Sequence, residues 1–190
     1  MKNLILVISG PAGSGKNTVS ERLMAEFPSI KRVITSTSRP PRGAEKDGVD
    51  YHFLSKEQFE RGIERGDFYE YAKVHDRYYG TSKKALDGID GDSILIIDVQ
   101  GAATWREIAE HYPEIKRRLT TVFIAPDSEA ELRARLADRN TETAEEINRR
   151  MKTAVDEFKQ AGKFDVRILS KTRDEDYAAL RKIYTDLKNK

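Results

Sequence analysis

An α/β fold, built on a parallel sheet with helices on both faces, is predicted by three observations. Short apolar runs recur as Leu4-Ile5-Leu6-Val7-Ile8, Ile94-Leu95-Ile96-Ile97, Leu119–Ala125 and Val166–Leu169, each the length of a buried strand. Stretches with helical spacing alternate with them. The first run passes through Ser9 into Gly10-Pro11-Ala12-Gly13-Ser14-Gly15-Lys16-Asn17-Thr18, so a glycine-rich turn stands between a strand and a helix. Such a sheet keeps its ligand site outside the carboxyl ends of its strands, where Gly10, Asp98 and the Arg39 region are all expected.

The glycine-rich stretch has P-loop spacing in P-loop context. Backbone N–H groups converge on phosphate oxygens, the helix N-terminus adds its positive end, and Lys16 reaches the outer phosphates as a point charge. It is expected to hold a triphosphate. Asn17 stands where Ser or Thr would offer a hydroxyl to Mg²⁺, and Thr18 is rotated about 100° away along the helix. Mg²⁺ is therefore expected to be held mainly by phosphate oxygens and water.

The first helix, from residue 17, is expected to stop near Phe27 because Pro28 follows, and Val33-Ile34-Thr35 reads as a second strand. Residues 36–51 are rich in Pro, Gly and charge and read as an ordered loop or small subdomain. Ser55-x-x-Gln58 is a capping box opening a helix to about Arg65, while residues 68–72 and 77–79 suggest short strands of a small mixed β insertion. The strand at residues 94–97 runs to Asp98. A helix is expected over residues 101–112, ended by Pro113. Ser128-x-x-Glu131 caps the next helix, Thr143-x-x-Glu146 caps a long one through Met151, Val155 and Phe158, and residues 174–187 form the last. The charged interruption Thr141-Glu142-Thr143 suggests a lid.

At 190 residues the chain can bury one sizeable core with embellishments. With 34 Lys plus Arg against 32 Asp plus Glu, the net charge of +2 gives no reason to expect nucleic acid or membrane as a partner. The absence of cysteine excludes disulfides and thiol catalysis and suits a reducing cytoplasm. His52, His75 and His111 lack metal-ligand spacing, and no run approaches the ~18 apolar residues of a membrane span. A soluble cytoplasmic protein is expected.

Asp98, at the end of a buried strand, can organise an Mg²⁺ water as a Walker-B carboxylate does, or can simply cap the turn. Phosphoryl transfer to another phosphate needs no strong general base, because the attacking oxygen is already ionised. It needs cations that hold two polyphosphates in line. Two arginine sets supply them: Arg39 and Arg42 in the Pro-rich loop near Tyr51, and Arg133, Arg135, Arg139, Arg149 and Arg150 around the lid. Arg133 and Arg149 read better as solvated helix-face residues. Adjacent Tyr78 and Tyr79 must point to opposite faces of a strand, and Tyr79 is taken as the one at the site.

Motifs in order now carry a resemblance. Thr35-Ser36-Thr37-Ser38-Arg39-Pro40-Pro41-Arg42-Gly43-Ala44-Glu45, Gly48-x-Asp50-Tyr51-x-Phe53, Phe68-x-Glu70-x-Ala72, Tyr78-Tyr79-Gly80-Thr81-Ser82, Ile97-Asp98-Val99-Gln100-Gly101 and Arg135-x-x-x-Arg139-x-Thr141-Glu142-Thr143 resemble the guanylate kinase family over nearly the whole chain. The resemblance implies ATP-dependent phosphorylation of GMP to GDP in purine nucleotide metabolism, with Mg²⁺, by a monomer or homodimer. It also implies one domain with a P-loop kinase core (about 1–34, 83–138 and 160–190), a GMP-binding insertion (about 35–82) and a helical lid (about 139–159). By motif position, Arg39, Arg42, Tyr51 and Tyr79 would bind the GMP phosphate, with Glu45 orienting the arginines. Thr35, Glu70, Thr81 and Asp98 would face or support guanine, alongside Gly80 and Gly101 in the same motifs. Arg135, Arg139 and Arg150 match lid arginines near the transferring phosphoryl, which Lys16 also contacts. Guanine offers N1–H and an amine as donors and O6 as acceptor, so the Glu70 carboxylate and the Thr35 and Thr81 hydroxyls complement it. Thr35 stands where Ser is usual, Asn140 where Gly is usual, and Ser170 where Asn is frequent near the adenine pocket.

Overall fold

Strand β1, Ile5–Ser9, is buried at every position, and its alternation sends Ile5 and Val7 to one face and Leu6 and Ile8 to the other. A strand apolar on both faces must lie inside a sheet covered on both sides. The computed structural model, which describes residues 3–74, 76–138 and 143–189, has that arrangement. Strands β2 (Ile30–Arg32), β7 (Asp92–Ile96), β8 (Leu119–Ala125) and β9 (Val166–Leu169) join β1 in a five-stranded, all-parallel sheet of order β2-β7-β1-β8-β9. Helix α4 (Val99–His111) covers one face through Val99, Ala102, Trp105 and Ala109. Helices α1 (Lys16–Glu26) and α8 (Arg173–Lys188) cover the other through Val19, Leu23, Leu180 and Tyr184. Each fully buried aliphatic side chain in these layers contributes about 1.5–3 kcal/mol.

A second, mixed sheet of order β4-β3-β6-β5 comprises β3 (Ser36–Thr37), β4 (His52–Phe53), β5 (Phe68–Val74) and β6 (Arg77–Ser82). Helix α2 (Lys56–Glu64) starts at the expected box, in which the Ser55 hydroxyl accepts from the Gln58 amide and the Gln58 side chain accepts from the Ser55 amide. Its Phe59 stacks between Phe68 and Tyr78, with ring centroids 4.4 Å and 5.2 Å away. Helices α6 (Glu129–Ala137) and α7 (Ala144–Gln160) pair through a small core of their own, Leu132, Leu136, Met151 and Ala154. Ser128 caps α6, and Thr143 with Glu146 forms the capping box of α7. Among the described residues no helix is long and apolar enough to cross a membrane.

Two expectations are corrected. Residues 33–35, read as a strand, form the crossing between the sheets: the Val33 amide bonds to the Ile94 carbonyl, and the Thr35 carbonyl already accepts from His52 of the second sheet. Residues 36 and 37, read as the start of a loop, are strand β3. Two polar residues show no periodicity, and their burial is supported by partners far along the chain, as in the Thr37 hydroxyl bond to the Tyr78 carbonyl at 3.0 Å. Short helices α3 (Lys83–Asp87) and α5 (Pro113–Lys116) were also not anticipated; Pro113 follows the end of α4 and opens α5 at its first position.

One buried carboxylate ties the last helix to the central sheet. Asp92, 2% exposed, accepts from the Leu4 amide at 2.7 Å, the Tyr184 hydroxyl at 2.7 Å and the Lys188 ammonium at 3.1 Å. Burial, with the Asp92 bond adding to it, pushes the Tyr184 phenol up to about 12, so it remains a donor. Asp92→Ala strands all three donors and should cost about 3 kcal/mol or more, against roughly 1.5 kcal/mol for Tyr184→Phe. Urea denaturation midpoints check this; equal losses would remove Asp92 as the anchor.

Candidate active site

The carboxyl edge of β1 delivers the glycine loop. Gly10, Gly13 and Gly15 have φ of 144°, 89° and 89°, and a Cβ at Gly10 would collide with the Ile124 carbonyl of β8. Gly15 occupies the N-cap of α1 with no side-chain cap, which leaves the first amides of the helix for an anion. Pro11, Gly13 and Ser14 are buried, Ala12 and Lys16 half-buried, and Asn17 and Thr18 exposed. Ser14 Oγ is buried with no partner among the described residues. Lys16 folds over the loop, its Nζ donating to the Gly10 and Pro11 carbonyls at 2.9 Å and 3.3 Å. A cradle of backbone N–H groups with a lysine arched across it fits a phosphate chain.

The second sheet presents two groupings. In the first, the Arg39 guanidinium, 7% exposed, makes a bidentate pair with Glu45 at 2.6 Å and 2.7 Å and lies over the Tyr51 ring, 5.0 Å from its centroid. Tyr51 in turn packs edge-on against Tyr79, 6.3 Å between centroids. Glu45 also accepts from the Arg42 amide at 2.8 Å, bending the loop so that both arginines belong to one turn; the Arg42 side chain is exposed. The Arg39 hydrogen bond, then the Arg42 amide, hold the Glu45 carboxyl down at about 2, and the same pairing raises the already high value of Arg39. Tyr78 takes the opposite face, its hydroxyl on Glu60 at 3.1 Å, so the alternation separates the two tyrosines as expected.

In the second grouping, Glu70 of β5 pairs in register with Thr81 of β6, whose hydroxyl donates to the Glu70 carboxylate at 2.6 Å. Burial pushes the Glu70 carboxyl up, the Thr81 bonds oppose this, and the negative charge of Asp98 adds to it. Gly80 lets the β5 and β6 backbones approach, since a Cβ there would lie 2.6 Å from the Glu70 carbonyl oxygen. Thr35 is half-buried at the sheet edge.

Asp98 links the two sheets electrostatically. It is the exposed N-cap of α4, with Oδ1 accepting from the Gly101 amide at 2.7 Å. That capping bond leaves Oδ2 for a water or a substrate group. Asp98 shares a cavity of about 380 Å³ with Gln100, Arg149, Lys152 and Glu157. Burial raises the Glu157 carboxyl, Lys16 opposing and Asp98 reinforcing it, so Glu157 senses both sides of the cleft. Among the described residues no group of three His, Asp or Glu side chains could hold a metal ion. The free Oδ2 of Asp98 and the amide cradle of the loop are chemically compatible with a hydrated Mg²⁺ accompanying a phosphate chain.

The lid arginines separate. Arg135 donates to Ser170, Lys171 and Glu131 and lines a cavity of about 380 Å³ with Gly13, Asp138, Lys171, Thr172 and Arg173, on the donor side of the loop. Arg150 is half-buried on α7, whereas Arg149, read as a solvated residue, lines the Asp98 cavity. Arg133 bonds Asn148 at 2.8 Å on the exposed side of the helix pair. Arg139 lies outside the described residues, as does His75. A further cavity, of about 940 Å³, is lined by Ser36, His52, Gln58, Arg61, Arg65 and Lys83 among others, and none of the expected site residues lines it. Sequence reasoning missed Glu157, Asp176 and Arg173, whose head lies against Gly15. Only the Thr172-x-x-Glu175 capping box could have flagged the start of α8 beside the loop.

Comparison with known proteins agrees with this layout. The family model described as guanylate kinase matches residues 2–187. A guanylate kinase of Campylobacter jejuni is 38% identical over 96% of this chain and 88% of its own length, and one of Clostridioides difficile is 39% identical over 100% and 90%. The crystal structure of guanylate kinase from Anaplasma phagocytophilum superposes with a TM-score of 0.73 at 29% identity, covering 97% of this chain and 85% of that one. With P-loop, arginine turn and carboxylate–hydroxyl pair all in order along one chain, the protein belongs to the guanylate kinase family.

Proposed function

We propose that the chain transfers the terminal phosphoryl group of ATP to GMP by in-line displacement without a general base, as a step of purine nucleotide metabolism in the cytoplasm. The family is one of ATP:GMP phosphotransferases, and the observation that carries the detailed reading is the placement of Asp98. Its charge is felt both by Glu70 on the second sheet and by Glu157, which also senses Lys16, so acceptor-side and donor-side groups share one cleft.

In this reading the glycine loop, residues 10–18, holds the ATP phosphates, with Lys16 following the transferring group. Mg²⁺ would be held mainly by phosphate oxygens and water, with Asp98 reaching it at most through water, and would supply charge neutralisation at the transferring group. Arg39 and Arg42, with Tyr51 and Tyr79, hold the GMP phosphate. Three of the five Arg39 N–H groups are committed to Glu45 and Pro40, so the remainder meet the phosphate already oriented. Thr35, Glu70 and Thr81 read guanine, beside Gly80 and Gly101. The acceptor phosphate is an anion already, so alignment and charge neutralisation suffice. Residues 35–82 act as the GMP-binding insertion, residues 139–159 as the lid, and the rest as the core. Arg135, Arg139 and Arg150 complete the cationic side of the cleft.

Glu70 pays for recognition with stability. Its folded-state value lies above the ordinary one, so the folded protein holds the proton more tightly, and stability falls as pH rises through that interval. Above the interval the wild type carries the penalty and Glu70→Gln does not.

Three outcomes are expected. With Mg-ATP, turnover of GMP should far exceed that of AMP, UMP and CMP and should vanish in Lys16→Ala; preference for another monophosphate would overturn the base-site assignment. Arg39→Ala, which loses charge-assisted contacts worth roughly 1.5–3 kcal/mol, should raise KM for GMP about ten- to a hundredfold, and an unchanged KM would remove Arg39 from the site. Without nucleotide, Glu70→Gln should melt at or above the wild-type temperature at pH 7, the difference closing in acid, while KM for GMP rises about a hundredfold. A lower melting temperature at pH 7 would contradict the desolvation penalty.

A further inference from the structure

The loop between β9 and α8 contains a buried polar chain that the reaction does not itself require. Asp176, on the first turns of α8, and Ser170, just after β9, are each 1% exposed. A carboxylate this buried is tolerated only when both oxygens are satisfied. Here Oδ2 accepts from the Ser170 hydroxyl at 2.6 Å, and Oδ1 accepts from the Lys171 amide at 2.7 Å.

The direction of the chain follows from donor counting. Arg135 has no acceptor atom, so its Nη1, 2.7 Å from Ser170 Oγ, must donate, and the hydroxyl must spend its single proton elsewhere. The alternatives are the Asp176 carboxylate at 2.6 Å and the Ser14 carbonyl of the glycine loop at 3.4 Å. The short, charge-assisted bond wins. Arg135 is thus bound to Asp176 through a hydroxyl bridge, and its Nη2 also donates to the Ser170 and Lys171 carbonyls at 3.1 Å and 2.9 Å and to Glu131 at 2.6 Å. Four segments meet there: the glycine loop, α6, the β9–α8 loop and α8.

We propose that Asp176 is a positioning residue for the donor nucleotide: through Ser170 it fixes the Arg135 guanidinium and the backbone of residues 170–172 as the wall of the cavity beside Gly13. This rests on the reading above that the glycine loop takes ATP. Arg135 lines the cavity with Gly13, Lys171, Thr172 and Arg173, and its clamped plane is set before the nucleotide arrives, so ordering costs are not met at binding. Among the described residues, the bonds of Asp176, Ser170 and Arg135 do not reach the Arg39 turn or the Glu70–Thr81 pair.

Asp176→Asn replaces one acceptor by a donor. With its oxygen kept on the Lys171 amide, the new N–H faces Ser170 Oγ, which already accepts from Arg135, and the hydroxyl proton is left only the Ser14 carbonyl at 3.4 Å. Ser170→Ala removes the bridge without touching the helix, and Ser170→Thr keeps it. Titration calorimetry should show Mg-ATP binding weakened about tenfold in Asp176→Asn and in Ser170→Ala, with near wild-type affinity in Ser170→Thr. Steady-state kinetics should show KM for ATP rising to match while KM for GMP stays within twofold. Parallel shifts in both KM values would mark a general loss of structure and overturn the proposal, as would unchanged ATP affinity in either variant. Should Asp176→Asn not fold, Ser170→Ala with its threonine rescue decides the matter. A wild type that binds ATP and uses GMP while both variants bind ATP normally overturns this proposal alone; a wild type that binds no ATP overturns the reading on which it rests.

Discussion

Strand β1 is hydrogen-bonded to β7 and β8 and covered on both faces, so the segment leaving its carboxyl end has only the space between its neighbours in which to turn. The close approach of Gly10 to the β8 backbone is the consequence, and only glycine fits. The surroundings of the loop inherit their position from this constraint: the uncapped start of α1, the arch of Lys16 over the loop, and the packing of residue 170 under Ser14. The sheet fixes the loop, and the loop fixes the charge.

The two groupings on the second sheet handle their charges in opposite ways. Arg39 and Glu45 are paired, bidentate and mutually stabilised, so the turn is a rigid dipole with N–H groups left over. Glu70 has only hydroxyl and backbone partners and is raised in value by burial, which leaves a carboxylate short of donors. A bound group that offers hydrogen-bond donors would meet that deficit. The resting molecule therefore holds an electrostatic deficit at Glu70 and a self-satisfied ion pair at the Arg39 turn.

Much of this was legible in residues. Short apolar runs marked β1, β7 and β8 because buried parallel strands write themselves as near-continuous apolar segments. Capping boxes at Ser55 and Thr143 gave two helix starts to the residue, since the cap chemistry is local. What failed to show was the two-residue strand β3, whose burial depends on distant partners such as Tyr78. Asp176 is one of three acids in the first turn of α8, and only the return of that helix to the glycine loop distinguishes it from the exposed Asp174. Glu157 likewise became visible only when α7 was folded against Asp98.

The way the chain enters and leaves the second sheet has an architectural consequence. Ser36, where it enters, is paired with Gly80, two residues before the strand ends at Ser82 and the chain returns to the helices of the main sheet. The excursion is thus closed at its own neck by backbone hydrogen bonds, like a drawstring. A segment tied off in this way makes no demand on the register of the parallel strands, so its interior can change in length and content while the five-stranded sheet and its glycine loop stay as they are.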